Sequence, residues 1–152
     1  VPVFADESAA ELGNLLQILK TEAADGFFLK VPKAGGILKS RRWADIAKGA
    51  NMPVMCGCMV NSGLGCAAEA AFLGATEWMG RIEQESIGPL NLHNLNDTVS
   101  GPIANDLAVK PVRYENGHLY PPTDGVGLGV ELNEDVVQRL ATPGKPPVVI
   151  GK

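Results

Sequence analysis

Short apolar runs of β-favouring residues recur along the first half of the chain, and the stretches between them show a helical period. Four runs predict buried strands, at 1–5, 26–31, 53–58 and 77–82. The first three runs follow one another at a spacing of about 25 residues, which is enough for a strand, a helix and two short loops. This spacing favours a repeated βα unit with a parallel sheet.

A helix-start signal follows each of the first three runs. Ser8 begins the first segment, the Gly35-Gly36 pair precedes a helix predicted over 37–48, and Ser62 precedes one predicted over 63–73. The third helix is rich in alanine and glycine, which permits close packing and gives no chemical signal. The first two helices are expected to turn apolar side chains inward. These are Leu12, Leu15, Leu16 and Leu19 in the first helix, and Ile37, Trp43, Ile46 and Ala47 in the second.

The second half of the chain lacks this repeat. Glycine, proline and polar residues predict a loop region after Glu85, and Asn116-Gly117 between β-favouring triplets predicts a hairpin. Asn133 predicts the cap of a last helix that ends near Leu140. We therefore expect a βα part at 1–107 and a different substructure at 108–152.

Composition and charge narrow the possible partners. The chain has 152 residues, 45% of them hydrophobic, and its formal net charge is -4. This charge provides no basic field to attract nucleic acid or an anionic membrane surface, and no segment is apolar enough to predict a membrane span. A small molecule is the expected ligand. The opening Val1-Pro2-Val3-Phe4 predicts a strand rather than a leader, so we expect a fragment or one subunit of a divided protein.

The three cysteines, Cys56, Cys58 and Cys66, are odd in number and close in sequence. They make a poor disulfide framework, which favours a reducing, cytoplasmic location. A zinc site would need two further ligands, but His93 and His118 lie far away in separate predicted loops.

Polar residues at the ends of the predicted strands are the candidates for chemistry, because parallel βα folds gather their active sites there. Each candidate also has a structural interpretation. Asp6 and Glu7 could be acids of a helix's first turn, Lys30 an edge lysine, Cys58 a packed thiol and Glu85 a solvated acid. For Cys58 we favour packing, because no histidine stands at a strand end to activate it.

Several segments in order resemble one known family. Ala5-Asp6-Glu7-Ser8 resembles the end of the fifth barrel strand in the muconate-lactonizing and mandelate-racemase branch of the enolase superfamily, and Lys30-Val31-Pro32-Lys33-Ala34-Gly35-Gly36 resembles the end of the sixth. The stretches 56–65 and 85–90 are similar to the seventh and eighth strand segments, and 125–129 resembles a glycine-rich turn near the family's C-terminus.

The resemblance implies an α/β fold made of strands 5 to 8 of a (βα)8 barrel, followed by a C-terminal hairpin and a short helix that pack back on a capping domain. It implies Asp6 as a ligand of Mg²⁺ and Lys30 as the catalytic acid/base. Further polar side chains are implied as outer-shell or substrate contacts. These are Glu7, Lys33, Cys58, Asn61 and Glu85. A lysine base working with Mg²⁺ is a known pattern of this superfamily, and a nearby dication is expected to lower the pKa of Lys30 toward neutrality.

The implied reaction is removal of the proton next to a substrate carboxylate, in a cycloisomerase or a racemase/epimerase. Asn61 stands where cycloisomerases often have Glu, and Cys58 where Thr is common, so the substrate stays open. The segment at Glu85 lacks the paired acids typical of dipeptide epimerases.

Two other functions stay open. An acid-sugar or hydroxy-acid dehydratase would use the same proton abstraction, but no histidine stands at the end of the predicted strand at 53–58, which favours the isomerase. An inactive structural or binding fragment is the third possibility. Half a barrel leaves open strand edges, so we expect an N-terminal half as partner, and self-association into a homo-oligomer.

Overall fold

The computed structural model describes residues 1–59, 61–86, 106–109, 112–121, 123 and 126–146. A three-stranded parallel sheet forms from β1 (Phe4–Ala5), β2 (Gly26–Leu29) and β3 (Val54–Cys56), in the order β1-β2-β3. Phe4 lies opposite Gly26, and Phe27 lies opposite Val54. All three strands coincide with predicted runs, although each is shorter than its run.

Helices connect the strands, as the βα spacing predicts. Helix α1 spans Leu12–Thr21 after a short 3₁₀ turn at Glu7–Ala9, α3 spans Ile37–Gly49, and α4 spans Gly63–Gly74 after β3. A one-turn helix, α2 (Val31–Ala34), was missed. Pro32 at its start explains why the strand predicted to reach residue 31 ends at Leu29, since proline presets the helical φ and lacks a ladder donor.

The core lies between the sheet and these helices. Phe27 and Leu29 of the sheet and Leu15 of α1 are fully buried. Burial of such side chains stabilises the fold by roughly 1.5–3 kcal/mol each. Other contributors are Ile18, Trp43, Ala44, Ala47, Val54, Cys56, Phe72 and Met79. Most of the predicted inward positions are confirmed: Leu15, Trp43 and Ala47 are buried, and Leu12 and Leu19 pack against the core. Leu16 and Ile37 are wrong, being 49% and 41% exposed.

The fourth predicted strand, at 77–82, is wrong. Glu77–Arg81 forms a 3₁₀ turn, in which Met79 N–H donates to the Thr76 carbonyl at 2.9 Å. Short apolar runs do not distinguish strand from helix by periodicity, and here a tight turn buries Met79 beneath the sheet. The chain reaches the edge of β3 a few residues later, where Glu85 N–H donates to the Cys56 carbonyl at 3.0 Å.

The C-terminal part contains an antiparallel pair, β4 (Arg113–Glu115) and β5 (His118–Tyr120), joined at Asn116-Gly117. Both turn residues have positive φ, 50° and 77°, as a tight two-residue hairpin requires. Helix α5 (Glu134–Leu140) is capped by Asn133, whose Oδ1 accepts from Val136 N–H at 3.3 Å. None of the helices described is long and apolar enough to cross a membrane.

Candidate active site

A strand-end cluster of Asp6, Glu7, Lys30 and Lys33 forms where β1 and β2 end. Because these strands are parallel neighbours, their carboxyl ends place Asp6 and Lys30 side by side. Lys30 Nζ donates to Asp6 Oδ1 and lies 3.5 Å from Glu7 Oε1, while Lys33 Nζ donates to Glu7 Oε1 at 2.6 Å. The structure therefore brings the expected metal ligand Asp6 and acid/base Lys30 together with Glu7 and Lys33, two of the expected outer contacts.

Lys30 is the deepest member of this cluster. Its side chain is 9% exposed, against 38% for Asp6 and 72% for Glu7. Burial favours the neutral amine, but the hydrogen bond and charge of Asp6, together with the charge of Glu7, outweigh it and raise the pKa of Lys30. Lys30 is consequently an ammonium at neutral pH in this arrangement. The expected lowering of its pKa depends on a bound dication, so it stays a prediction.

Glu7 is exposed to solvent and lies against the two lysines of the cluster. The hydrogen bond from Lys33 is the main reason that the pKa of Glu7 falls to about 2, and the charge of Lys30 adds to it. Glu7 is an ionised, solvated carboxylate that links the two lysines. This linkage suits an outer contact that holds Lys30 and Lys33 in place.

Gly57, just after β3, is a site residue that the sequence analysis missed. A Cβ built on Gly57 would lie 3.0 Å from Lys30 Cε and 3.0 Å from Phe28 Cδ1. The aliphatic stem of Lys30 therefore crosses the backbone of Gly57, and a larger residue would push the lysine aside. The available signal was a glycine at the end of a strand pattern, where close backbone approach is common.

Cys58 and Glu85 meet at the next strand end. Cys58 N–H donates to Glu85 Oε2 at 3.3 Å, and the backbone of Glu85 bonds to Cys56. Gly57 thus contacts Lys30 on one side, while its neighbours Cys56 and Cys58 bond to Glu85 on the other. Part of the segment at 85–90 that resembles the eighth barrel strand, namely 87–90, lies outside the described residues.

Gln84 takes the place of regular strand pairing at this edge and was also missed. Its Oε1 accepts from Cys56 N–H at 2.7 Å, and its Nε2 donates to the carbonyls of Met79 at 2.8 Å and Ile82 at 3.0 Å. One side-chain amide therefore satisfies backbone groups that a strand at 77–82 would have paired. No sequence pattern distinguishes such a glutamine from a solvated one.

Asn61 does not join the strand-end cluster. Its Nδ2 donates to Oε1 of Glu69 on α4, and Glu69 Oε2 accepts from Ser86 Oγ at 2.7 Å. Tyr114 OH in turn donates to the Ser86 carbonyl. Asn61, Glu69 and Ser86, all buried, and the half-buried Tyr114 form what we call the buried cluster, behind the strand ends. The sequence of α4 gave no signal for it.

The thiols beside this cluster are free. Cys56 and Cys66 are fully buried, and burial raises the pKa of both, that of Cys66 to about 11. The negative charge of Glu69 acts in the same direction. Both are therefore neutral thiols at neutral pH, in keeping with packing.

The donor set at the strand ends is chemically suited to Mg²⁺, which prefers carboxylate oxygens. Asp6 is half-exposed at the mouth of the strands and its carboxylate contacts one buried cation. In the described part of the chain, no group of three or more His, Cys, Asp or Glu residues gathers. Asp6 alone therefore fits the role of one ligand.

The chain matches the family described as enolase C-terminal domain-like over residues 1–136. It is 35% identical over 138 residues to muconate cycloisomerase 1 of Rhodococcus opacus. The matched region covers 91% of this chain and 34% of that enzyme. A mandelate racemase/muconate lactonizing family protein from Azoarcus sp. EbN1 has a similar structure, with a TM-score of 0.81, 51% identity, and coverage of 95% of this chain and 38% of that one.

A muconate lactonizing enzyme from Pseudomonas fluorescens, solved with muconolactone, superposes with a TM-score of 0.75 at 28% identity, covering 91% of this chain and 34% of that one. The chain thus spans about a third of the length of these relatives. The mixed α/β fold and the sequence agree, and the chain belongs to the enolase C-terminal domain-like family, in the muconate-lactonizing and mandelate-racemase branch of the enolase superfamily.

Proposed function

We propose that this chain supplies the acid/base lysine and one metal ligand of an isomerase that removes the proton next to a substrate carboxylate. The reaction is a muconate-type cycloisomerisation or a racemisation/epimerisation. The observation that carries the proposal is the Asp6–Lys30 pair, which lies at the carboxyl ends of two neighbouring parallel strands. Family membership supports the same class of reaction.

In this proposal the sheet and the segment at 82–86 correspond to strands 5 to 8 of a (βα)8 barrel. An N-terminal half, as a preceding segment or a separate chain, supplies the remaining strands, the capping domain and the other metal ligands. The segment 108–152 packs back on that capping domain. We call this chain together with its N-terminal half the assembled enzyme, and propose that it is cytoplasmic and a homo-oligomer.

Lys30 would exchange the proton on one face of the substrate's α-carbon. Its ammonium is held by Asp6 and Glu7, so it can donate a proton directly, and it becomes a base once that hold is weakened. Asp6 would hold Mg²⁺, which when bound supplies positive charge to stabilise the enediolate formed on the substrate. Glu7 and Lys33 keep Lys30 oriented, while Cys58 N–H and Glu85 present polar groups at the adjacent strand end.

The test is deuterium exchange from D₂O at the α-carbon, followed by NMR in the assembled enzyme with Mg²⁺. Muconolactone is the probe for cycloisomerase activity, and chiral 2-substituted carboxylates are the probes for racemase activity. Lys30→Ala is expected to lower the exchange rate by about 10²–10⁴-fold, the usual contribution of a positioned acid/base. Lys20→Ala removes an exposed lysine of α1 and should leave the rate unchanged.

Lys30→Arg separates charge from proton transfer, because arginine can still pair with Asp6 but does not release its proton. It should retain the stability of the assembled enzyme and lose the exchange. Absence of exchange in the unaltered enzyme with every probe, or exchange that survives Lys30→Ala, would overturn the proposal.

A further inference from the structure

Glu69 is a carboxylate in the middle of α4 that is only 1% exposed. Burying a carboxylate costs free energy unless hydrogen bonds compensate for the lost water. Both of its oxygens are engaged, Oε1 by the Asn61 amide and Oε2 by the Ser86 hydroxyl at 2.7 Å. Both donors are neutral, and no ion pair to Glu69 occurs among the described residues. Compensation for the lost water therefore depends on these two hydrogen bonds.

The two donors come from different segments that each carry a candidate site residue. Asn61 follows Cys58 by three residues on the connection between β3 and α4, and Ser86 directly follows Glu85. Cys58 N–H and Glu85 Oε2 bond to each other at 3.3 Å. Glu69 therefore links the segment of Cys58 and Asn61 to the segment of Glu85 and Ser86. The same two segments also meet in the Cys58–Glu85 hydrogen bond.

The C-terminal hairpin reaches the same point. Tyr114 of β4 donates its hydroxyl hydrogen to the carbonyl of Ser86, and Cys66, one turn before Glu69 on α4, lies 4.0 Å from the Asn61 carbonyl. The Ser86 residue is thus held on its side chain by α4 and on its backbone by the hairpin. This leaves Glu85, the residue just before Ser86, with little freedom to leave the strand end.

We propose that Glu69 is a positioning residue that locks the segments of Asn61 and Ser86 to α4, and so fixes the Cys58 amide and the Glu85 carboxylate beside Lys30 as a substrate-binding edge. This role rests on the proposed function, since it assumes that the strand ends bind substrate. Glu69 itself touches neither substrate nor metal. Its effect passes through the two hydrogen bonds that it accepts.

The first experiment does not depend on activity. Amide hydrogen exchange is followed by mass spectrometry in the assembled enzyme, on peptides that cover 56–59 and 84–86. Glu69→Ala is expected to speed exchange in these peptides at least tenfold and to leave peptides of β2 unchanged. Glu77→Ala is the control. It removes an exposed glutamate from the 3₁₀ turn that follows α4 and should leave exchange unchanged in all of these peptides.

Two further variants keep the test interpretable if Glu69→Ala folds poorly. Glu69→Gln can still accept from Asn61 and can donate to the Ser86 hydroxyl, so it should retain the protection of both peptides. Ser86→Ala removes only one donor and should speed exchange in 84–86 alone. Equal acceleration across the whole sheet, or none at 56–59 and 84–86 in Glu69→Ala, would overturn the positioning role.

Kinetics then test whether the position matters for substrate. Glu69→Ala and Glu85→Gln should each raise KM several-fold with a smaller change in kcat, and the double variant should be no worse than Glu85→Gln alone, because both act through one carboxylate. Additive effects would contradict the coupling. Loss of hydrogen-exchange protection together with an absence of activity in the unaltered enzyme would retain the positioning role and reject the proposed function.

Discussion

The strand-end cluster and the buried cluster hold their carboxylates in opposite ways. At the strand ends, Asp6 and Glu7 face two lysines and water, and each negative charge is matched by a positive one. Behind β3, Glu69 lies among neutral donors, away from water. The same chemical group is therefore paired with charge and open to water in one place, and enclosed among neutral hydrogen-bond donors in the other.

This difference is reflected in acidity. Lysine contacts lower the pKa of Glu7 to about 2, whereas desolvation raises the pKa of Glu69 even though Ser86 and Asn61 oppose it. A charged partner stabilises the ionised form, while burial destabilises it. An exposed cluster can change partners at low cost, but the buried one cannot lose a donor without leaving a polar group unsatisfied. This contrast agrees with the two proposals made above, a reactive role for the strand-end cluster and a positioning role for Glu69.

The largest expected effect comes from altering the contact between β3 and the strand-end cluster. Gly57→Ala places a Cβ 3.0 Å from Lys30 Cε, so the lysine side chain must move by a few tenths of an ångström from its position beside Asp6. We expect kcat in the assembled enzyme to fall by between about tenfold and 10²-fold, because small displacements of an acid/base are costly. Gly74→Ala, where nothing lies within 4 Å, is the matched control. An unchanged kcat in Gly57→Ala would mean that the position of Lys30 is not critical.

The next effect concerns the helix that carries Glu69. Asp106 is 3% exposed, and its Oδ1 accepts from Gly63 N–H at 2.8 Å, at the start of α4, and from Ala108 N–H at 3.1 Å. Asp106→Ala leaves both donors buried and unpaired, which should lower the free energy of unfolding by about 1–3 kcal/mol. Urea unfolding of the assembled enzyme measures this.

Asp106→Asn retains an acceptor oxygen and should lose less stability than Asp106→Ala. Asp45→Ala is the exposed control, because Asp45 forms an i,i+4 pair with Arg41 on the surface of α3. Such pairs contribute only about 0.3–0.5 kcal/mol. Equal losses for Asp106→Ala and Asp45→Ala would show that the buried cap contributes nothing beyond a surface pair.

A third effect should appear as pH rises. Because the pKa of Glu69 is raised in the folded state, its contribution to stability is complete below the unfolded value of 4.5 and is lost as pH rises through the folded pKa. The stability of the parent relative to Glu69→Gln should therefore be greatest at pH 4.5 and below and decline as pH rises, measured by urea unfolding at a series of pH values up to neutrality. Glu85 acts in the same direction, and the nearby Cys56, Cys66 and Tyr114 all have raised pKa values, so they stay neutral over this range. A flat difference would show that Glu69 does not titrate there.

The smallest effect has the opposite sign. Since the pKa of Glu7 is lowered to about 2, its stabilising contribution is present above 4.5 and is lost as pH falls toward 2. Glu7→Gln should remove this part of the acid sensitivity, and added salt should weaken the parent's advantage because Glu7 is exposed. A difference that persists at pH 2 would contradict the ion-pair origin. Together with Glu69→Gln, this measurement asks whether the two clusters truly respond in opposite directions.

Much of the strand-end cluster was predictable from sequence, because each strand and the polar residue that ends it are neighbours in the chain. A buried apolar run marks each strand, and the first polar residue after it marks the strand end, so Asp6 and Lys30 could be named before any fold was known. Glu69 could not be found in this way. It occurs within an Ala-rich helix, where burial depends on which face meets β3 and on donors 8 and 17 residues away.

Some elements failed for a similar reason. Trp78 and Met79 resemble part of a strand by composition, but the 3₁₀ turn at Glu77–Arg81 is decided by packing under the sheet and by Gln84, whose amide occupies the edge of β3. Leu16 and Leu15 are equally apolar in sequence, and only the position of the sheet decides which of them is buried.

The sequence by itself determined the βα repeat, the strand ends with Asp6 and Lys30, the hairpin turn at Asn116-Gly117 and the helix cap at Asn133, because periodicity and turn chemistry act over a few residues. Tertiary structure alone decided that Gly57 lies against Lys30, that Asn61 turns to Glu69, and that Asp106 caps α4 from 43 residues away. These contacts depend on burial and on the hydrogen-bonding needs of buried groups, which exist only once distant segments have packed together.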